Sequence, residues 1–172
     1  RLEPQPSGSG NRSVHTALRH YARAIQAAGS LHAGVEVLRQ VAHELGFRTA
    51  ACLLWPAPIA SAQDFPPPWV LGEPVSGAGI SRWSAEYLVR GKYRLDFGLR
   101  LSRESALPFL WSSECQPGVV LGTGWHLSPQ QLRLTGEVSR LTGMRGGIVV
   151  PIHVTNGAFG YVGFPSTEPL TG

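Results

Sequence analysis

The spacing of hydrophobic residues predicts two helices in the first third of the chain. Apolar positions three and four apart follow Ser13, a residue suited to an N-cap, and continue to Gly29, which suits a left-handed C-cap. A second set follows Ser30 and stops at Gly46. The apolar residues that share a face are Val14, Leu18, Tyr21, Ala22 and Ile25 in the first helix and Val35, Leu38, Val41, Ala42 and Leu45 in the second. Residues 1–12, rich in Pro, Gly and Ser, are expected to form a flexible lead-in.

Short apolar runs bounded by turn residues predict strands in the middle of the chain. Residues 47–55 are too short and too uniformly apolar for a surface helix, and Pro56 follows them, so we expect a buried strand there. The further predictions for this part are a loop over 56–68, a short strand over 69–71, a helix over about 81–90, a turning segment over 93–105 and a strand over 107–112.

The last third of the chain carries the clearest elements. After a long loop rich in Gly, Pro and Ser, Ser128 and Pro129 are typical of a helix N-terminus, and this helix is predicted to end at Gly143. Asn156-Gly157 lies between two apolar runs and predicts an antiparallel hairpin, because a type I′ turn needs positive φ at both central residues. Strands and helices interleave, so we predict an α+β fold with an antiparallel sheet and helices on its faces.

Composition narrows the classes of protein. The 172 residues fit one domain, and no apolar run reaches the roughly 18–20 residues of a membrane span, so no membrane partner is expected. The net charge is +4, but Lys92 is the single lysine and the arginines are scattered, so no basic run suits nucleic acid. Cys52 and Cys115 form no Cys-x-x-Cys motif, and no signal peptide is recognisable, which fits a cytoplasmic protein.

Signatures of catalysis and of metal binding are missing from the sequence. The six histidines form no His-x-x-x-His pair and have no neighbouring cysteine or carboxylate at metal-ligand spacing. The segments LGTGW and GMRGG lack the lysine of a phosphate loop and the full dinucleotide pattern, and no Gly-x-Ser-x-Gly elbow occurs. We therefore expect no metal, no cofactor and no catalytic residues.

An aromatic cluster with one carboxylate is the most informative feature of the sequence. Trp83, Tyr87, Tyr93, Asp96 and Trp111 all fall between residues 83 and 111. Such a set fits either an aromatic core with a capping aspartate or a small-molecule pocket. In a pocket, an indole N–H donates a hydrogen bond and a carboxylate accepts one from an amide N–H.

The order and spacing of these residues extend to other segments of the chain. They are Trp83, Tyr87, Asp96 and Trp111, together with segments 45–47 (LGF), 107–111 (LPFLW), 143–153 (GMRGGIVVPIH) and 157–160 (GAFG). Between about Leu18 and Phe164, this set resembles the autoinducer-binding domain of LuxR-type quorum-sensing transcriptional regulators. The resemblance implies an α-β-α sandwich around a central five-stranded antiparallel sheet with helices on both faces. An N-acyl-homoserine lactone would lie between the sheet and one helical layer.

The resemblance also implies roles for individual residues. Trp83 would donate its indole N–H to the lactone carbonyl, and Asp96 would accept the amide N–H. Tyr87 and Trp111 would form walls around these groups. Further candidate ligand-binding residues are Gly98, Val149, Gly163, Ala51, Leu53, Phe109 and Met144. Trp125, in the loop after Trp111, is expected either to line or cover the pocket or to be exposed.

Some positions depart from the family pattern. Phe97 stands where a proline usually follows the aspartate, and no tyrosine precedes Trp83 in the segment GAGISRW. Gly98, Val149 and Gly163 stand where hydroxyls often meet the carbonyl groups of the ligand. We therefore expect an acyl group without a 3-oxo substituent, with room beside the glycines for a branched or aromatic tail.

The expected function is the ligand-binding and dimerisation domain of a LuxR-type regulator. Residues 13–166 would form this domain, as a homodimer, and residues 167–172 would begin a linker to a helix-turn-helix domain, the part of the full-length protein that contacts DNA. A naturally shortened regulator is the alternative to an excised domain. Two other functions stay open: an orphan receptor of the same family for a plant-derived or other non-lactone molecule, and an unrelated small α+β enzyme.

Overall fold

A five-stranded antiparallel sheet is the centre of the computed structural model, which describes residues 19–55, 66–71, 78–113, 119–120, 123–155 and 157–170. The strands among the described residues are β1 (Ala51–Trp55), β2 (Trp69–Leu71), β3 (Phe109–Ser112), β4 (Val119–Val120), β5 (Trp125–His126), β6 (Gly146–His153) and β7 (Phe159–Ser166). The sheet has the order β2-β1-β7-β6-β3, and every neighbouring pair is antiparallel. The strands β4 and β5 form a separate antiparallel ribbon.

Helices cover both faces of this sheet. They are α1 (residues 19–27), α2 (Leu31–Glu44), α3 (Ala78–Val89), a 3-10 helix (Lys92–Leu95), α4 (Phe97–Glu104) and α5 (Pro129–Thr142). On one face, Val35 and Ala42 of α2 pack against Cys52 of β1 and Val162 of β7. On the other face, α3, the 3-10 helix and α4 pack against the alternate residues of β1, β6 and β7, and α5 packs on α3. This α+β arrangement with helices on both faces confirms the predicted fold class.

Local capping signals are confirmed where the structure describes them. The Ser30 hydroxyl accepts a hydrogen bond from the Ala33 amide at 3.1 Å and begins α2. At α5, Ser128 and Gln131 form a reciprocal capping box behind Pro129, and Gly143 ends the helix with φ of 73°. Gly46, just after α2, also has a positive φ, of 82°.

The left-handed C-cap predicted at Gly29 for the first helix is wrong. Gly29 does not adopt a positive φ, and the Ala28 amide instead donates to the Ile25 carbonyl in a tight last turn. The reason is that the N-cap of α2, Ser30, follows at once. The predicted N-cap Ser13, the lead-in 1–12 and Cys115 lie outside the described residues.

The segment predicted to turn through residues 93–105 is mostly helical. Residues 93–95 belong to the 3-10 helix, and α4 begins at Phe97. Asp96 caps α4 by accepting a hydrogen bond from the Gly98 amide at 2.7 Å. Phe97 and Leu101, one turn apart, are both buried in the core. Burial of this apolar face outweighs the low helix propensity of the glycine in the first turn.

Several element bounds differ from those predicted. The strand predicted from residue 47 begins at Ala51, and the strand predicted from residue 107 begins at Phe109. The helix α3 begins at Ala78, earlier than predicted, and the long loop before Ser128 contains the ribbon of β4 and β5.

The predicted antiparallel hairpin is confirmed, but its turn is not the predicted two-residue turn: the Gly157 amide donates to the Val154 carbonyl, so Gly157 is the last residue of the turn and not a central one. The strands β6 and β7 pair from Gly146 with Ser166 to His153 with Phe159, so residues 154–158 connect them. Gly157 has φ of 83°, and Asn156 lies outside the described residues. Within the described residues, no helix combines the length and the apolar character that a membrane span needs.

Candidate functional site

A cavity of about 370 Å³ lies between the sheet and the helices α3, α4 and α5. Its volume falls within the range of about 300–1,000 Å³ that is usual for small-molecule sites. The predicted site residues on its wall are Trp83, Tyr87, Asp96, Gly98, Trp111, Met144, Val149, Gly163, Ala51 and Leu53. The wall is mostly apolar, with few polar groups, as is typical of ligand pockets.

The floor of the cavity is made by paired residues on neighbouring strands. Gly163 of β7 is paired with Ala51 of β1 on one side and with Val149 of β6 on the other. The same row ends at Phe109 of β3, the partner of Val149. Because alternate residues of a strand face the same side, the small residues in this row leave open space above the middle of the sheet.

Two predicted site residues do not lie on the cavity wall. Phe109 is buried against the ring of Phe97, with the two ring centroids 6.4 Å apart, and of these two residues only Phe97 lines the cavity. Trp125 packs against the same hydrophobic cluster, which includes Val120. The buried Trp125 indole N–H has no hydrogen-bond partner within the described part of the chain.

Asp96 is the centre of the polar part of the wall. Its Oδ1 accepts the hydrogen bond from the Gly98 amide, which caps α4. Its Oδ2 accepts hydrogen bonds from the Tyr87 hydroxyl at 2.5 Å and from the Tyr161 hydroxyl at 2.6 Å. Residues from α3, α4 and β7 therefore meet at one carboxylate.

Both phenols at this carboxylate act as hydrogen-bond donors. Burial raises the pKa of Tyr87 and the pKa of Tyr161 well above the ordinary value of 10, and the charge of Asp96 raises both further. At neutral pH the two hydroxyls therefore keep their protons. Three donors for one carboxylate offset the cost of removing its charge from water.

Trp83 stands one helical turn before Tyr87 on α3, and the two ring centroids are 5.8 Å apart. The Lys92 Nζ lies 5.3 Å from the centroid of the Trp83 ring, a cation–π distance. The same Nζ is 2.9 Å from a carboxylate oxygen of Glu86 and 2.5 Å from one of Glu137. This ion-pair cluster, Lys92 with Glu86 and Glu137, joins α3 to α5 beside the cavity.

Trp111 lies over a glycine of the neighbouring strand. A Cβ atom at Gly147 would be 2.7 Å from the Trp111 Nε1 and 2.9 Å from the Phe164 carbonyl oxygen. Gly147 is paired with Trp111 across β6 and β3. The absence of a side chain at residue 147 thus allows the indole to lie against the sheet.

Tyr161 is the main wall residue that the sequence analysis missed. It stands two positions before Gly163 on β7, so the two-residue period of a strand places both on the same face, and this signal could have identified it. Leu88 of α3 and Leu134, Thr135 and Val138 of α5 also line the cavity. These side chains face the cavity because of the way α3 and α5 pack on each other, which the sequence alone does not specify.

The described residues contain no group of three or more His, Cys, Asp or Glu side chains that could hold a metal ion. The cavity carries one carboxylate, which is engaged in hydrogen bonds. Its chemistry suits the binding of an uncharged molecule with a hydrogen-bond donor and an apolar part.

Comparisons with known proteins agree with this architecture. The family model described as autoinducer binding domain matches residues 30–170. Among solved structures, the chain is similar to the N-acylhomoserine lactone dependent LuxR family transcription factor CepR2 from Burkholderia cenocepacia, with 20% identity and a TM-score of 0.65 over 94% of this chain and 83% of that one. The comparison with curated proteins gives no match.

The family match covers most of the chain and includes the whole described cavity. The family is one of ligand-binding domains of regulators, which bind a small signal molecule, and not a family of enzymes. In agreement with the resemblance to LuxR-type quorum-sensing regulators, the chain belongs to the autoinducer-binding domain family.

Proposed function

We propose that this domain binds an N-acyl-homoserine lactone in the cavity and does so as the sensor part of a dimeric transcriptional regulator. The observation that carries the proposal is the position of Asp96. An ionised carboxylate offers about four acceptor positions, and protein groups donate to three of them. One acceptor position on Oδ1 is left for the amide N–H of a ligand.

The proposed roles of the other residues follow from their places on the wall. Trp83 donates its indole N–H to the lactone carbonyl, while Tyr87 and Trp111 pack against the lactone and the amide. The apolar residues along the sheet and α5 surround the acyl chain. Each buried methylene then contributes about 0.8 kcal/mol to the free energy of binding, so the affinity depends on the length of the acyl chain.

The acyl group is proposed to lack a 3-oxo substituent. The side chains of Gly98, Val149 and Gly163 offer no hydroxyl to a second carbonyl. The ring of Tyr161 lies beside both Gly98 and Gly163, so the expected room there for a branched or aromatic tail is not part of the proposal.

A receptor for a non-lactone molecule, for example one derived from a plant, is the second candidate. It is supported by residues 98, 149 and 163, which are Gly, Val and Gly and offer no hydroxyl to the carbonyl groups of a lactone ligand. Mass spectrometry of ligand extracted from the purified domain, produced with and without lactones, separates the two candidates. Recovery of hydrolysed lactone would instead support an enzyme, which the proposal excludes.

The experiment that tests the site is titration calorimetry with N-octanoyl-homoserine lactone. Trp83→Phe and Asp96→Ser should each weaken binding about 10-fold or more, because hydrogen bonds to charged or buried partners contribute about 1.5–3 kcal/mol. Serine at residue 96 keeps an N-cap for α4, so the loss measures the carboxylate and not the cap.

Trp69→Phe is the matched control, since Trp69 is 57% exposed on β2 and does not line the cavity. It should leave the dissociation constant unchanged. Unchanged affinity in both Trp83→Phe and Asp96→Ser would contradict the assignment of the site. The dimer, the cytoplasmic location and contact with DNA through a separate helix-turn-helix domain stay predictions.

A further inference from the structure

Tyr161 occupies the part of the cavity that lies closest to Asp96. It is paired with Leu53 of β1 and Pro151 of β6, and its side chain packs with the hydrophobic clusters under α3 and α4. Its hydroxyl donates to Asp96 Oδ2 at 2.6 Å. The side chain therefore crosses from the sheet to the start of α4 and is anchored at both ends.

Two glycines lie beside the Tyr161 ring, one at each edge. A Cβ atom at Gly98 would lie 3.0 Å from the Asp96 Oδ1, a tight contact, and 3.5 Å from Cε1 and from Cζ of Tyr161. A Cβ atom at Gly163 would lie 3.6 Å from Cε2, on the other edge of the ring. The distances to the ring are ordinary van der Waals distances, so a side chain longer than alanine at either position would have to compete with the ring. The ring lies between the two glycines.

The hydroxyl of Tyr161 also limits what Asp96 offers to a ligand. Together with the Tyr87 hydroxyl it uses both acceptor positions of Oδ2. The Gly98 amide uses one position of Oδ1, so one acceptor remains. A ligand with a single N–H donor matches this remainder, whereas a ligand that needs both carboxylate oxygens does not.

We propose that Tyr161 is the residue that determines acyl specificity in this cavity: its ring closes the space between Gly98 and Gly163 and so selects a short, straight acyl group. This inference rests on the proposed function, because it specifies the ligand of the same cavity. The hydroxyl of Tyr161 holds the ring in place through Asp96. The two glycines and the tyrosine together therefore determine the shape of this part of the cavity.

The test compares N-octanoyl- and N-dodecanoyl-homoserine lactone by titration calorimetry. The unmodified domain should bind the octanoyl compound at least 10-fold more tightly. In Tyr161→Ala the opened space should accept the longer chain, and each further buried methylene should add about fourfold in affinity. The preference should therefore disappear or reverse. Tyr161→Phe keeps the ring and should keep the preference.

Val162→Ala is the matched control, since Val162 is the next residue of β7 but packs on the opposite face, against α2. It should leave the preference unchanged. If Tyr161→Ala is poorly folded, Tyr161→Leu keeps an apolar side chain of shorter reach and should shift the preference in the same direction.

The outcomes separate the two proposals. An unchanged ratio of the two dissociation constants in the folded Ala or Leu variant would overturn the role of Tyr161 and leave the proposed function standing. Failure of the unmodified domain to bind either lactone would overturn the proposed function and this inference with it.

Discussion

At the scale of single residues, Asp96 joins a structural task to a proposed functional one. One carboxylate oxygen caps α4 through the Gly98 amide, and the other receives two phenols from α3 and β7. The cap fixes the direction of the carboxylate, and the phenols keep it hydrogen-bonded without a ligand. A substitution at residue 96 therefore changes both the stability of α4 and the polarity of the cavity.

Gly147 offers a test of how the wall around Trp111 is packed. Gly147→Ala would place a Cβ atom against the Trp111 Nε1 and the Phe164 carbonyl, so the indole must move. We expect the free energy of unfolding to fall by about 1–3 kcal/mol, the usual cost of overpacking, and lactone affinity to fall with it. Urea denaturation and calorimetry measure the two effects.

Gly136 provides the control for this substitution. It lies within α5, and a Cβ atom there would meet nothing within 4 Å. Gly136→Ala should raise the free energy of unfolding by about 0.5–1 kcal/mol, because alanine favours the helix. A stability loss of equal size in both variants would contradict the packing described for Trp111.

At the scale of elements, the helices α3 and α5 form one side of the cavity and are joined by charges. Lys92 contacts Glu86 and Glu137 and also lies over the ring of Trp83. It is the single lysine of the chain, in which arginine supplies the other basic side chains. The ion-pair cluster therefore links the spacing of two helices to the position of an indole on the cavity wall.

The pH dependence of stability tests the ion-pair cluster. The hydrogen bond to Glu137 is the main cause that raises the pKa of Lys92 above 10.5, and the hydrogen bond from Lys92 lowers the pKa of Glu86 below 4.5. The contribution of Lys92 is present below 10.5 and is lost as pH rises through the raised pKa; that of Glu86 is present above 4.5 and is lost as pH falls through the lowered pKa.

Lys92→Met should therefore unfold at a lower urea concentration than the unmodified domain at about pH 7, and the difference should shrink as pH falls through the lowered pKa of Glu86. Lys92→Arg keeps the charge and should lose less stability than Lys92→Met. A difference between the unmodified domain and Lys92→Met that does not change with pH would contradict a stabilising role for the charge of Lys92.

At the scale of the whole molecule, the cavity lies between the sheet and the layer formed by α3, α4 and α5. The sheet and α2 form one packed unit, whereas α3 and α5 meet across the other side of the cavity. A ligand in this space contacts both layers at once. Ligand binding should therefore stabilise the fold as a whole, as expected for any molecule that binds the native state alone.

Thermal unfolding measures this linkage. A lactone at about 100 times its dissociation constant adds about 2.7 kcal/mol to the stability of the native state. For a domain of this size, we expect Tm to rise by about 5–10 °C. The same lactone with its ring hydrolysed serves as the control and should have a much smaller effect. Equal Tm values with and without the intact lactone would argue against binding in the cavity.

Local features of this protein were determined by the sequence alone. Ser30, Ser128 with Pro129, and Gly143 mark helix ends because each acts through hydrogen bonds or φ angles within a few residues. The hairpin of β6 and β7 and the alternation along the strands follow from equally short-range rules. The family pattern added Trp83 and Asp96 as members of one site, and the structure places both on the same cavity wall.

Only the tertiary structure decided which distant residues complete that site. Tyr161 reaches Asp96 across 65 positions of the chain, and its ring lies between two glycines from different elements. The helix α4 forms although its first turn contains a glycine, because burial of Phe97 and Leu101 supplies the stability that local propensity lacks. Contacts of this kind depend on packing between elements, which no short segment of sequence specifies.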